Sequence, residues 1–201
     1  MQIDTVVENL NSRRFIAKKF ETVEAAKAEI LSIIGDRSVG ISGSNSVTSS
    51  GVYDALKANG NTLFSHTQVP KEEKKAVRKA AMGADVYLCS ANAITESGVI
   101  VNIDGTGNRI AATIFGPETV IMLVGKNKLV PTIEEGIART KRECCPKNAK
   151  RLGLTTPCAV TGVCADCKTP QRMCNVTVLH EYPTRYIQQF YVFIVDAELG
   201  W

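Results

Sequence analysis

The feature that most constrains the fold is an alternation of helix-like and strand-like segments joined by short loops. After an opening helical segment, residues 22–34 place Val23, Ala26, Ile30, Ile33 and Ile34 on one side at helical spacing, with Glu24 in the first turn. Gly35-Asp36 ends that helix, and residues 38–42 read as a short buried strand running into a Gly/Ser/Asn loop. A second helix reaches Asn59-Gly60. Residues 62–65 follow as strand, residues 70–82 as a helix opened by Pro70, and residues 85–89 as strand. Residues 99–103 and 119–124 add two strands, and residues 131–142 a helix with Glu134 and Glu135 near its start and Arg139, Lys141 and Arg142 near its end. Parallel neighbours require crossovers and crossovers are usually helical, so this rhythm predicts an α/β fold with a doubly wound, mostly parallel sheet. At 201 residues, 44% hydrophobic and 22% charged, one domain with an appendage is expected.

The core is expected to close near residue 143. Residues 144–175 shift to Cys, Pro, Gly, Lys and Thr with little apolar periodicity and read as an irregular, Cys-rich metal-binding segment. Residues 176–180 and 186–195 are rich in β-branched and aromatic side chains and are separated by Pro183. They read as a C-terminal antiparallel hairpin, within residues 176–201, that returns to the sheet edge.

A net charge of +4 spread along the chain falls short of the concentrated basic face of a nucleic-acid binder. The densest run, residues 71–79, contains two glutamates and fits a solvated helix face. No apolar stretch approaches the ~20 residues needed to span a bilayer, and residues 1–8 carry early acids without the apolar core of a signal peptide. A cytoplasmic protein without nucleic-acid or membrane partners is expected. A reducing cytosol does not sustain structural disulfides, so the seven cysteines call for another account.

Four of them supply it. Cys158, Cys164, Cys167 and Cys174 are spaced C-x5-C-x2-C-x6-C. Four thiolates satisfy either a tetrahedral ion or the irons of a cubane cluster, and Gly162 and Pro170 help the chain curl around the metal. Zinc sites more often pair two Cys-x-x-Cys knuckles, whereas one central pair with longer spacers resembles the four-cysteine loop of endonuclease-III-type glycosylases. A [4Fe–4S] cluster is therefore the expected cofactor, with zinc as the alternative. Adjacent Cys144 and Cys145 stay outside this ligand set, and Cys89 reads as a small buried side chain.

Two loops suit ligand binding beyond the carboxyl ends of strands. The first contains Ser42, Gly43, Ser44 and Asn45, whose hydroxyl and backbone donors suit a phosphate or carboxylate; Ser46 serves equally as an N-cap. The second contains Asn92, Asn102, Asp104, Gly105, Thr106, Gly107, Asn108 and Arg109. Its glycines expose amides, Arg109 offers a bidentate anion clamp, and Glu96 is a candidate base or nucleophile. A tight turn with a solvated acid and a surface arginine reads as well on spacing alone.

Taken together, Asn92-Ala-Ile-Thr-Glu-Ser-Gly98, Asn102-Ile-Asp-Gly-Thr-Gly-Asn-Arg109, Phe115-Gly-Pro117, Asn148-Ala-Lys-Arg-Leu-Gly153 and the cysteine segment closely resemble the LUD, or lactate-utilisation, domain family. The match covers nearly the whole chain and looks like the short, cysteine-tailed form of anaerobic bacteria. The resemblance implies a fold related to the coenzyme A transferase and ribose-5-phosphate isomerase group, in which a strand-end Glu reacts in some members; Glu96 corresponds. It also implies a cytoplasmic role in oxidising lactate to pyruvate beside iron–sulfur or flavin partner subunits. Three functions follow as expectations: a redox accessory protein acting on a small anionic 2-hydroxy acid through its own cluster, a transferase or isomerase using Glu96, or a metabolite-binding protein with a structural zinc. A homo-oligomer is compatible with each.

Overall fold

The computed structural model describes residues 1–201. In chain order the elements are α1 (Ile3–Ser12), β1 (Ile16–Phe20), α2 (Val23–Ile34), β2 (Val39–Ile41), α3 (Asn45–Ser49), α4 (Val52–Ala58), β3 (Leu63–Ser65), α5 (Lys74–Ala81), β4 (Val86–Cys89), β5 (Ala93–Thr95) and β6 (Ile100–Asp104). There follow α6 (Asn108–Ala112), β7 (Thr119–Gly125), β8 (Leu129–Val130), α7 (Ile133–Arg139), α8 (Cys145–Arg151), α9 (Pro157–Thr161), β9 (Val176–His180) and β10 (Gln189–Val195). Helix α2 starts where the sequence places it, because the Thr22 hydroxyl accepts a hydrogen bond from the Ala25 amide.

Six strands form one sheet in the order β1-β10-β7-β4-β2-β3, and every neighbouring pair is parallel. Period-2 alternation divides the side chains of its central strands between two cores. Val120, Met122 and Val124 of β7 join the first core with Val192 and Ile194 of β10 and Ile3, Val6 and Leu10 of α1. Ile121 and Leu123 face the opposite way, into a second core with Phe193, Ile30 of α2 and Leu56 of α4. Both faces are thus covered, as a doubly wound α/β sheet requires. A second sheet, β8-β5-β6-β9, contributes Ile94 and Ile100 to the first core.

Three expectations are corrected. The strand read over residues 99–103 exists as β6 but leaves the main sheet, pairing antiparallel with β5 and β9. The C-terminal strands do not form a hairpin: β9 pairs with β6, whereas β10 runs parallel between β1 and β7. Burial explains the split. Four consecutive residues at the end of β10 are buried, the mark of an interior parallel strand, while β9 is exposed over most of its length and suits an edge. Third, residues 144–151 are not irregular. Helix α7 continues through a π-helical turn at Thr140–Cys144 into α8, where Pro146, lacking an amide proton, occupies the first turn. Cys144 and Cys145 are buried there.

Strand β1 escapes the sequence reading because Lys18 and Lys19 interrupt its apolar residues at the sheet edge. No helix is long and apolar enough to cross a membrane.

Candidate functional site

Five strands deliver their carboxyl ends to one cavity of ≈ 200 Å³. Ser42 to Ser46 follow β2, His66 follows β3, Ser90 to Asn92 follow β4, the Asp104 to Arg109 turn closes β6, and Lys128 lies beyond β7. The opposite wall comes from the π turn and α8, with Thr140, Cys144, Cys145 and Asn148, and from Met173. This is the position where parallel sheets bind ligands.

Of the polar residues singled out in the sequence, Ser42, Gly43, Ser44, Asn45, Asn92, Asp104, Gly105, Thr106, Asn108 and Arg109 line the cavity. Asn102 and Gly107 lie behind it in supporting roles. Asn102 is fully buried and accepts from the Asn92 amide, and Asn92 Oδ1 in turn accepts from the Ile103 amide. Gly107, at φ +88°, lets the chain turn so that its own amide and that of Thr106 both donate to Asp104 Oδ1, at 2.9 and 3.0 Å. Glu96 is not brought to this site. It is exposed on the turn between β5 and β6, where its carbonyl accepts from Asn9 of α1 and its amide donates to Val130.

Arg109 is engaged by the protein. It pairs with Asp104 at 3.3 Å and donates to the Ile103 carbonyl at 2.6 Å and to Asn92 Oδ1 at 2.9 Å. It therefore organises the loop rather than offering a free clamp. The cavity nonetheless remains electropositive, since Arg78, Arg109 and Arg151 face it against the side-chain carboxylate of Asp104. His66 is held below its ordinary pKa by burial first and then by Arg78, Lys74 and Arg151, and so adds no charge near neutral pH.

Lys128 escapes the sequence reading. Only 3% exposed, it donates to Ser46 Oγ at 2.7 Å, Ser90 Oγ at 3.0 Å and the Ala91 carbonyl at 3.3 Å. The signal that finds it is positional: it stands at the carboxyl end of the strand read over residues 119–124, where ligands gather.

The four clustered cysteines come together around a second, smaller pocket, which Cys145 joins from α8. All five are free thiols. Gly162 ends α9 at φ +77°, and Asp166, inside the Cys-x-x-Cys turn, adopts φ +45°. Arg172 ties the loop together by donating to the Cys167 carbonyl at 2.7 Å, the Cys174 carbonyl at 3.1 Å and Asp166 at 2.8 Å. As the side chains stand, no group of three or more His, Cys, Asp or Glu residues is arranged to hold a metal ion. The space between the thiols, ≈ 10 Å³, is about that of one water. The donor set nevertheless fits an iron–sulfur cluster: soft sulfur ligands around a largely apolar pocket. Burial pushes the Cys145 thiol up to about 12, with further contributions from Cys174, Cys144, Cys158 and Cys164 around it. The two pockets share a wall, because Cys145 and Met173 line both.

No curated protein matches the chain significantly. Among solved structures, the crystal structure of a DUF162 family protein from Deinococcus radiodurans is similar, with a TM-score of 0.55 at 12% identity over 96% of this chain and 95% of that one. At that identity the likeness concerns the fold alone. The family model of the LUD domain matches residues 3–195, so the chain belongs to the LUD domain family.

Proposed function

We propose that this protein is a redox accessory protein of 2-hydroxy acid metabolism, working on lactate or a close analogue in a reducing cytoplasm. A small anionic metabolite occupies the larger cavity, drawn by its excess of cationic side chains. Cys158, Cys164, Cys167 and Cys174 would hold a [4Fe–4S] cluster, which supplies one-electron transfer when bound. The observation that carries this reading is the wall that the two pockets share at Cys145 and Met173, since it sets a candidate electron carrier beside a candidate substrate. The family's association with lactate utilisation supports it. The chain's own residues bind and orient: Asp104 shapes the Thr106–Gly107 turn, and Arg109 fixes Asn92.

A cluster spreads its four thiolates further apart than one zinc does, because Zn–S bonds of about 2.3 Å draw tetrahedral sulfurs to within about 3.8 Å of each other. A structural zinc beside a metabolite pocket is the second reading, favoured by the narrowness of the thiol pocket. Anaerobic purification with iron, sulfide and zinc analysis separates the two. The cluster reading expects brown protein with about four irons and four sulfides per chain, and a visible spectrum that changes when lactate is added. Colourless protein with one zinc overturns it.

A further inference from the structure

Lys128 is a buried amine without an anionic partner. None of the ion pairs in the structure includes it, and its amine meets only two serine hydroxyls and a backbone carbonyl. A lysine kept for structure alone is ordinarily paired with a carboxylate when buried. This one instead lines the larger cavity. Burial is the largest influence on it and lowers its pKa to about 7, with Arg139 and Arg109 acting in the same direction and the Cys144 and Cys89 thiols opposing them. A substantial fraction of the amine is then neutral near pH 7; that form can give only two of the three hydrogen bonds, and the lone pair that replaces the third can attack a carbonyl.

We propose that Lys128 is a nucleophile that condenses with the carbonyl carbon of a 2-oxo acid to form a Schiff base. The amine lone pair forms the new C–N bond while the carbonyl π pair moves to oxygen, which takes up a proton. The resulting carbinolamine gives up its hydroxyl as one water molecule, and the nitrogen lone pair closes the C=N bond. No oxidant or reductant enters. Ser46 and Ser90, whose hydroxyls lie 3.3 Å apart and both contact the amine, can relay the protons that addition and dehydration require. Arg78 and Arg151, also on the cavity wall, suit the ligand's carboxylate. The inference rests on the cavity being an anionic-metabolite site, but not on any metal.

The test is to incubate the purified protein with pyruvate, reduce with sodium borohydride, and analyse intact mass and peptides. One reduced pyruvate adduct per chain is expected, on the peptide containing Lys128, and none in Lys128→Arg. No adduct, or adducts scattered over surface lysines, overturns the proposal. The wild-type peptide map decides even where Lys128→Arg fails to fold. Calorimetric titration with pyruvate distinguishes the two levels of failure. Binding without trapping overturns the nucleophile and leaves the metabolite site standing, whereas absence of binding removes the site for this class of ligand as well.

Discussion

His180 shows how much one buried side chain can set the pH response. Its ring, at the end of β9, lies 3.1 Å from the Thr113 hydroxyl, which itself donates to the Ile110 carbonyl. Thr113 must then accept from Nε2–H, leaving Nδ1 a buried lone pair without a partner. Protonation there creates an unsolvated cation, and burial foremost, with Arg109 nearby, lowers the pKa from 6.5 to about 4. A depressed folded-state pKa means that the stabilisation is complete above pH 6.5 and is lost as pH falls toward 4. Urea unfolding should therefore show about 2–3 kcal/mol more loss between neutral pH and pH ~4.5 in the wild type than in His180→Asn. Equal losses in both sink the assignment. At this scale the sequence located residues better than it read their duties. Gly, Ser and Asn after an apolar run mark a strand-end loop, so Ser42 to Asn45 and Asp104 to Arg109 were visible. Nothing in the chain reveals that Asp104, Asn92 and the Ile103 carbonyl already engage Arg109, since those contacts arise only when β4, β6 and α6 meet.

The elements divide in the same way. Helix caps and apolar runs made β2, β3, β4 and β7 legible, because each signal is local. Partner choice is not local, and it separates β9 from β10 although only eight residues lie between them. The position of β10 has an energetic consequence. Phe193, fully buried, packs edge-on against Phe20 at 5.0 Å and belongs to the core covered by α2 and α4. Phe193→Ala should lower stability by about 3–5 kcal/mol, whereas Leu179→Ala on β9, a residue 41% exposed, should cost under about 1 kcal/mol. Denaturation midpoints check both, and similar values would contradict an interior β10. The contact between the two functional loops can be tested likewise. A Cβ at Gly105 would stand 2.7 Å from the Met173 carbonyl, so one loop must move. Gly105→Ala is expected to keep the fold, at a cost of about 1–3 kcal/mol, and, under the proposed cluster reading, to lower metal content because Cys174 is displaced with its neighbour. Unchanged metal content would show that the thiol pocket does not depend on this docking.

Across the whole molecule, order is unevenly supported. The α/β body has two apolar cores on a six-stranded sheet, while residues 158–174 contribute to neither and are held largely by polar contacts, among them the Arg172 hydrogen bonds, those of Thr155 to Gln171 and the approach of Met173 to Gly105. Segments with few buried apolar contacts open at much lower free energy than the global fold. The proposed cluster would need more room than the water-sized space between the thiols provides, so its loading would first open this loop and then hold it, and its binding free energy would become local folding free energy. Limited proteolysis of metal-loaded and chelator-treated protein should reveal that coupling. Without metal, cleavage is expected first after Lys168 or Arg172, leaving the helices and strands before residue 152 intact. With metal the same bonds should be protected at least tenfold, equivalent to about 1.4 kcal/mol or more of added local stability. The four-serine variant at Cys158, Cys164, Cys167 and Cys174 should behave like the stripped protein whether or not metal is supplied, with the melting transition of the α/β body retained. Identical cleavage rates in loaded and stripped protein would mean that the loop owes its order to the protein alone, and that the thiols are not there to bind a structure-forming metal.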